Sequence, residues 1–196
     1  VTGGNTLAKV KKVKSKKPQR WDALLRRLPC GVKLHGAEVG VLNANTSMRI
    51  LQARPLLTLI MIDPWEVPAA GSSYALENDT NAQKSQELHE AAFKNTMERV
   101  KFAGSRARVH RRYSADIAPK IKDGSLDFVF IDGDHSYAGC LADIKLWLPK
   151  VKQGGFISGH DINHPKLPGV TKAVYECFGF NEIEEDVNRT WFKVIK

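Results

Sequence analysis

Five stretches of this 196-residue chain end an apolar run in groups that accept protons or hydrogen bonds. The densest is FVFIDGDHSY, where Asp132, Asp134 and His135 follow a run of Phe, Val and Ile. The others place Glu38 and Gly40 in AEVGV, Asp63 in LTLIMIDPW, Ser114 and Asp116 after RARVHRRY, and His160 with Asp161 in GGFISGHDI. A carboxylate in such a place can take a proton from a substrate, hold the hydroxyls of a sugar, or simply form a turn or cap the next helix. One such residue decides nothing. Five at the same point of a repeating pattern favour a shared ligand site.

The elements carrying these groups must end side by side. RWDALLRRLP spaces Trp21, Leu24, Leu25 and Leu28 as on an amphipathic helix that Pro29 stops. A strand ending near Gly40 is followed by a helix, NTSMRILQARP, with Asn45 or Thr46 as N-cap. LTLIMID reads as a second strand. The polar, turn-rich GSSYALENDTN reads as a surface loop before a helix over residues 82–102, with Leu88, Ala91, Ala92, Thr96 and Val100 on its inner face. RARVHRR, FVFI and GGFIS continue the strands. ADIAPKIKDGS, YAGCLADIKLWLPKV and GVTKAVYECFG continue the helices, with Leu141, Ile144 and Leu148 inward. The tail reads as a hairpin turning at Asn188-Arg189. This alternation predicts a three-layer α/β/α sandwich, with a mainly parallel sheet and an antiparallel C-terminal edge. In such a sheet the ligand lies beyond the carboxyl ends of the strands, where the five stretches fall.

Composition narrows the class. The longest apolar runs fall short of the roughly 20 residues of a membrane helix, and the N-terminus has no apolar signal core. A cytoplasmic protein with no membrane partner is expected. Cys30, Cys140 and Cys177 have no metal-binding spacing and read as reduced, packed thiols. The net charge is +9, and seven of those charges, Lys9, Lys11, Lys12, Lys14, Lys16, Lys17 and Arg20, fall in residues 1–20 without an acid. Residues 1–20 therefore read as a basic flexible arm and 21–196 as a single domain. Nucleic acid could be met only through the arm. Lys33, His35, Trp65 and Trp147 read as solvent or packing residues, and Asn163 and His164 as shaping the Pro-containing loop they lie in.

Asp63 stands where a carboxylate can accept hydrogen bonds from both hydroxyls of an adenosine ribose. The first turn, EVGVLNANTS, lacks the glycines that a pyrophosphate would need, so a ligand with ribose and no pyrophosphate fits better. Taken together, AEVGV, MIDPW, FVFIDGDHSY, DIKLWLPKVKQGGFISGHDI and PGVTKAV resemble the class I S-adenosylmethionine-dependent methyltransferases of the bacterial and phage branch, over residues 36–175.

The resemblance implies a Rossmann-like seven-stranded sheet with a reversed last strand. It also implies S-adenosylmethionine held by Glu38 and Gly40 near the methionine part, Asp63 at the ribose, Ser114 and Ala115 by the adenine, and Asp132 beneath the sulfonium. The family usually has glycine where this chain has Ala44, whose methyl group would narrow the methionine end. The implied activity is O-methylation of a small molecule or sugar, with Asp134 and His135 as candidate bases. Related sugar and catechol enzymes hold Mg²⁺ at positions that here are Asp132, His160 and Asp161; an imidazole among them shifts preference toward Mn²⁺, Fe²⁺ or Zn²⁺, or removes the metal. Two other readings stay open: an inactive cofactor-binding scaffold, and a nucleic-acid methyltransferase guided by the arm. The acceptor and the oligomeric state are not legible.

Overall fold

The computed structural model describes residues 17–77 and 79–196, so most of the basic segment lies outside the described residues. The strand runs bury both faces because alternate side chains of an extended chain point to opposite sides. In β2 (Leu57–Asp63), Leu57, Leu59 and Met61 join one apolar cluster while Ile60 and Ile62 join the other. β4 (Leu126–Ile131) divides in the same way, Phe128 and Phe130 against Val129 and Ile131. A sheet apolar on both faces must be covered on both.

One face takes Leu24 of α1 (Arg20–Arg27), Ile50 and Leu51 of α2 (Asn45–Ala53), and Ala92 and Val100 of α3 (Gln86–Val100). The other takes Ile117 of α4 (Ser114–Ile117), Ile144 and Trp147 of α5 (Tyr137–Trp147), and Val170 and Val174 of α6 (Pro168–Phe178).

The remaining strands are β1 (Leu34–Val39), β3 (Ala107–Arg111), β5 (Val151–Gly159), β6 (Glu184–Asp186) and β7 (Thr190–Val194). They complete a seven-stranded sheet in the order β3-β2-β1-β4-β5-β7-β6. The first five are parallel, and β7 runs antiparallel to β5 and β6. This is the expected mixed sandwich with its C-terminal hairpin, reversed through Asn188 and Arg189 at φ 55° and 56°. Strand order changes direction between β1 and β4, which opens a crevice beyond their carboxyl ends.

Four local expectations are corrected. Arg20, counted with the arm on its charge, is the first residue of α1. α2 begins at Asn45, and its N-cap is Ala44 in the left-handed region at φ 52°, so neither Asn45 nor Thr46 caps it. α3 starts at Gln86 and turns His89, Ala92, Thr96 and Val100 inward, leaving Leu88 54% exposed, and His89 on that inner face lines the crevice. In α5 the buried positions are Cys140, Asp143, Ile144 and Trp147, while Leu141 and Leu148 lie only partly covered. Trp65 and Trp147 are packing residues, fully buried. Cys30 is exposed, and all three cysteines are free.

Candidate active site

The crevice begins where β1 and β4 leave the sheet. Asp132 N–H donates to the Val39 carbonyl at 2.7 Å, and the next residue of β1's exit, Gly40, crosses over β4's. A Cβ on Gly40 would lie 2.1 Å from the Asp132 carbonyl oxygen, and its φ is +85°, so the crossing requires glycine. The resulting cavity, about 280 Å³, is lined by Gly40, Asp63, Ser114, Ala115, Asp132 and Asp134, six of the residues singled out in the sequence. Glu38, His135, His160 and Asp161 stand behind its wall and do not line it. Ala44 does not line it either, so its methyl narrows nothing there. It packs fully buried with the α2 face of the core, and its departure from glycine costs backbone strain, on the order of 1 kcal/mol.

Asp63 is more committed than its place in the sequence implies. One oxygen accepts the N–H groups of Val41 and Leu42 at 3.0 and 2.9 Å, and the other accepts that of Trp65 at 2.7 Å. A carboxylate offers about four lone-pair sites, so roughly one remains for a ligand. Asp63 therefore pins the loop after β1 as well as facing the cavity. Beside it lies His89, buried, with neither ring nitrogen partnered among the described residues.

Behind the wall, Glu38 accepts the Ser47 hydroxyl, and burial pushes its carboxyl up to about 8. Asp132 meets Arg20, whose Nη1 donates to Oδ2 at 2.5 Å and lies 3.3 Å from His160 Nδ1. Burial pulls the Asp132 carboxyl up, but Arg20 and the nearby imidazoles outweigh it and hold it below the usual range.

The other oxygen of Asp132 belongs to a tighter group. His135 Nε2 lies 3.4 Å from Asp132 Oδ1 and 3.4 Å from Asp161 Oδ2, while Nδ1 of the same ring meets Asp79 Oδ2 at 2.5 Å. Burial would lower the His135 pKa, but hydrogen bonds to Asp132 and Asp79 raise it to about 10. The three residues whose donor atoms converge are thus Asp132, His135 and Asp161. His160, expected as the third donor, is not one of those three, but its Nδ1 also lies near both carboxylates, 3.0 Å from Asp161 Oδ2 and 3.6 Å from Asp132 Oδ1, and its Nε2 is buried without a partner among the described residues.

Asp134 has a different setting. Its Oδ1 accepts the Ser136 N–H at 2.8 Å at the start of α5, and its side chain lies over Gly139, where a Cβ would come within 2.1 Å of the carboxylate. Asp134 also lines an adjoining cavity formed by residues 64–74, Tyr113 and the first turn of α5. Burial raises its pKa. Glu66 is shared by both cavities too, but it takes the Tyr113 hydroxyl at 3.0 Å.

Arg20, Asp79, His89 and Asp143 were passed over in the sequence. Arg20 was hidden in a run of like charge. Asp79 sat in a polar loop whose length was the one available signal. His89 and Asp143 occupy helical positions next to more apolar neighbours.

The chain has counterparts. Residues 37–162 match the model of a family described as a methyltransferase domain. An uncharacterized protein of Acanthamoeba polyphaga mimivirus is 28% identical over 149 residues, covering 70% of this chain. The match covers 58% of that relative's own length.

Among solved structures, the O-methyltransferase TomG from Streptomyces achromogenes, involved in tomaymycin synthesis and solved with SAM, superposes with a TM-score of 0.55 at 16% identity, over 83% of this chain and 73% of that one. The calicheamicin methyltransferase CalS11 gives a TM-score of 0.60 at 14% identity, over 89% and 76%. Another structure of CalS11, described as a TDP-rhamnose 3'-O-methyltransferase, gives 0.52 at 16% identity, over the same 89% and 76%. At these identities the likeness is one of fold.

Proposed function

This chain belongs to the methyltransferase-domain family, and from that premise we propose that it carries a methyl group from S-adenosylmethionine to a hydroxyl of a small molecule or sugar. The observation that carries the reading is the position of Asp134, a carboxylate shared by two adjoining cavities at the carboxyl ends of the strands. One cavity suits the methyl donor and the other the acceptor. O-methylation by TomG and sugar methylation by CalS11, on the same fold, support the acceptor class.

When bound, S-adenosylmethionine supplies an electrophilic methyl carbon on a sulfonium, which an acceptor oxygen takes in line as the carbon–sulfur bond breaks. The residues of this chain position that exchange. Gly40 lets the β1 exit pass close over β4 and leaves the floor of the cavity open. Asp63 offers its remaining lone pair to a ribose hydroxyl while its backbone bonds hold the loop beneath. Asp132, which lines the cavity, would offer its carboxylate to the cationic end of the cofactor. Asp134 accepts the proton that the acceptor oxygen loses, in a site where water is partly excluded.

A metal-assisted form of this reading is favoured by the geometry of Asp132, His135 and Asp161. Donor atoms about 2.1 Å from one ion and at right angles or wider are about 3 Å or more apart, as these are. Asp79 on the far nitrogen is the carboxylate that commonly orients a ligating imidazole. Two carboxylates and an imidazole fit Mn²⁺ or Zn²⁺ better than Mg²⁺. A metal held there would sit behind the cavity wall and fix the Asp132 carboxylate that reaches the cavity. Titration of Mn²⁺ alone into the protein tests this: binding that His135→Ala abolishes and His160→Ala spares is expected, and no binding removes the metal from the reading.

Calorimetry with S-adenosylhomocysteine, followed by radiolabelled methyl transfer to a panel of hydroxyl compounds, tests the function as a whole. Binding is expected, weakened about tenfold or more in Asp63→Asn. No binding would sink the assignment; tight binding with no transfer to any acceptor would favour an inactive cofactor-binding module.

A further inference from the structure

We propose that Asp143 reads the 6-amino group of an adenine in the cavity and so makes the site select adenine over hypoxanthine nucleosides. The inference rests on the reading of this cavity as the site of S-adenosylmethionine.

Asp143 projects from α5, is only 8% exposed, and lines the cavity. A hydrogen-bond chain fixes its carboxylate. Trp147 Nε1–H donates to the Ser114 hydroxyl at 2.8 Å, and that hydroxyl donates to Asp143 Oδ1 at 2.5 Å. Ser114, which the sequence resemblance places by the adenine, therefore has its proton committed to Asp143. Asp143 Oδ2 accepts no hydrogen bond among the described residues and lies on the cavity side, 3.6 Å from where a Cβ of Gly133 would stand. A buried carboxylate with one satisfied oxygen lacks a donor, and burial pushes it up to about 7.

The layout of the cavity supplies the missing donor's direction. Asp63 ends β2, and Ser114 and Ala115 open the helix that follows β3 at the edge of the parallel strands. A nucleoside whose ribose meets Asp63 and whose 5' side faces Gly40 and Asp132 extends its base toward Ser114. There Ala115, Ala142 and Leu146 offer apolar walls, and Asp143 is the carboxylate beside them. The exocyclic amino group of adenine donates to such an oxygen. Hypoxanthine carries a carbonyl at that atom, and above pH about 7, where Asp143 is ionised, two acceptors face each other, so the discrimination is to be read at about pH 8 or above. Ser114 and Trp147 act as positioning residues for the acceptor oxygen.

Calorimetry with two probes, S-adenosylhomocysteine and S-inosylhomocysteine, decides this in the wild type and in Asp143→Asn. The wild type should prefer the adenosyl compound by about tenfold or more. In the variant the preference should fall toward unity, because a carboxamide can turn either its oxygen or its amino group to the base. Equal affinities in the wild type overturn the proposal without any substitution, and so does an undiminished preference in the variant. Binding of S-adenosylhomocysteine with no discrimination refutes Asp143 alone, whereas binding of neither probe refutes the cofactor site together with it.

Discussion

Asp134 and His135 are neighbours in sequence with unlike surroundings, and the difference is why Asp134 is the one proposed above as the base. His135 is held on both ring nitrogens by Asp79, Asp132 and Asp161, whereas Asp134 is bonded only at Ser136 among the described residues and faces both cavities. Replacing Asp134 by Asn preserves shape and removes basicity, so turnover should fall by about 10²-fold or more while S-adenosylhomocysteine affinity stays within about twofold. Full turnover in that variant would return Asp134 to the role of a helix-start residue.

Glu38 permits a stability test. Its folded pKa of about 8 lies above the ordinary 4.5, so the fold binds the proton more tightly than the unfolded chain does. That contribution is whole below 4.5 and is lost as pH rises through 8. Glu38→Gln is neutral throughout, and its unfolding free energy should gain on the wild type by about 3 kcal/mol between pH 5 and 8. Parallel pH profiles in urea unfolding would contradict the assignment.

At the scale of elements, α1 does more than cover the sheet. Eight residues are too few to be stable as an isolated helix, so α1 depends on what it touches. Its first residue, Arg20, reaches Asp132 at the site. From its last turn, Arg26 and Arg27 pair with Asp186, and Arg27 also pairs with Glu184 and covers the Phe192 ring at 3.7 Å. One helix thereby links the C-terminal hairpin to the cavity wall. Arg27→Ala should cost about 1–2 kcal/mol in urea unfolding, and Arg27→Lys should recover only part, because the planar fork and its stacking are lost. The segment between β2 and α3 works in the same way, since Tyr74, Asp79 and Asn81 return from it to the site.

For the whole molecule, the charge is uneven. The lysines up to Lys17 carry most of the net charge of +9, and among the described residues the apolar core begins at α1. A truncated chain beginning at Pro18 should keep its melting temperature within about 2 °C and its S-adenosylhomocysteine affinity. A fall of many degrees would make the segment part of the packing. Salt-sensitive RNA or DNA binding lost on truncation would assign the segment to nucleic acid.

The alternation of strands and helices, the C-terminal hairpin and the polar or acidic ends of the five parallel strands were legible in the sequence. They depend on apolar runs and turn residues that act over a few positions. Which acids face the cavity was decided by the tertiary structure. Asp63 spends three of its bonds on Val41, Leu42 and Trp65, His135 finds Asp79 across 56 positions, and Arg20 finds Asp132 across 112. Such pairs form because packing aims two side chains at one point, and no local pattern of residue types encodes that direction.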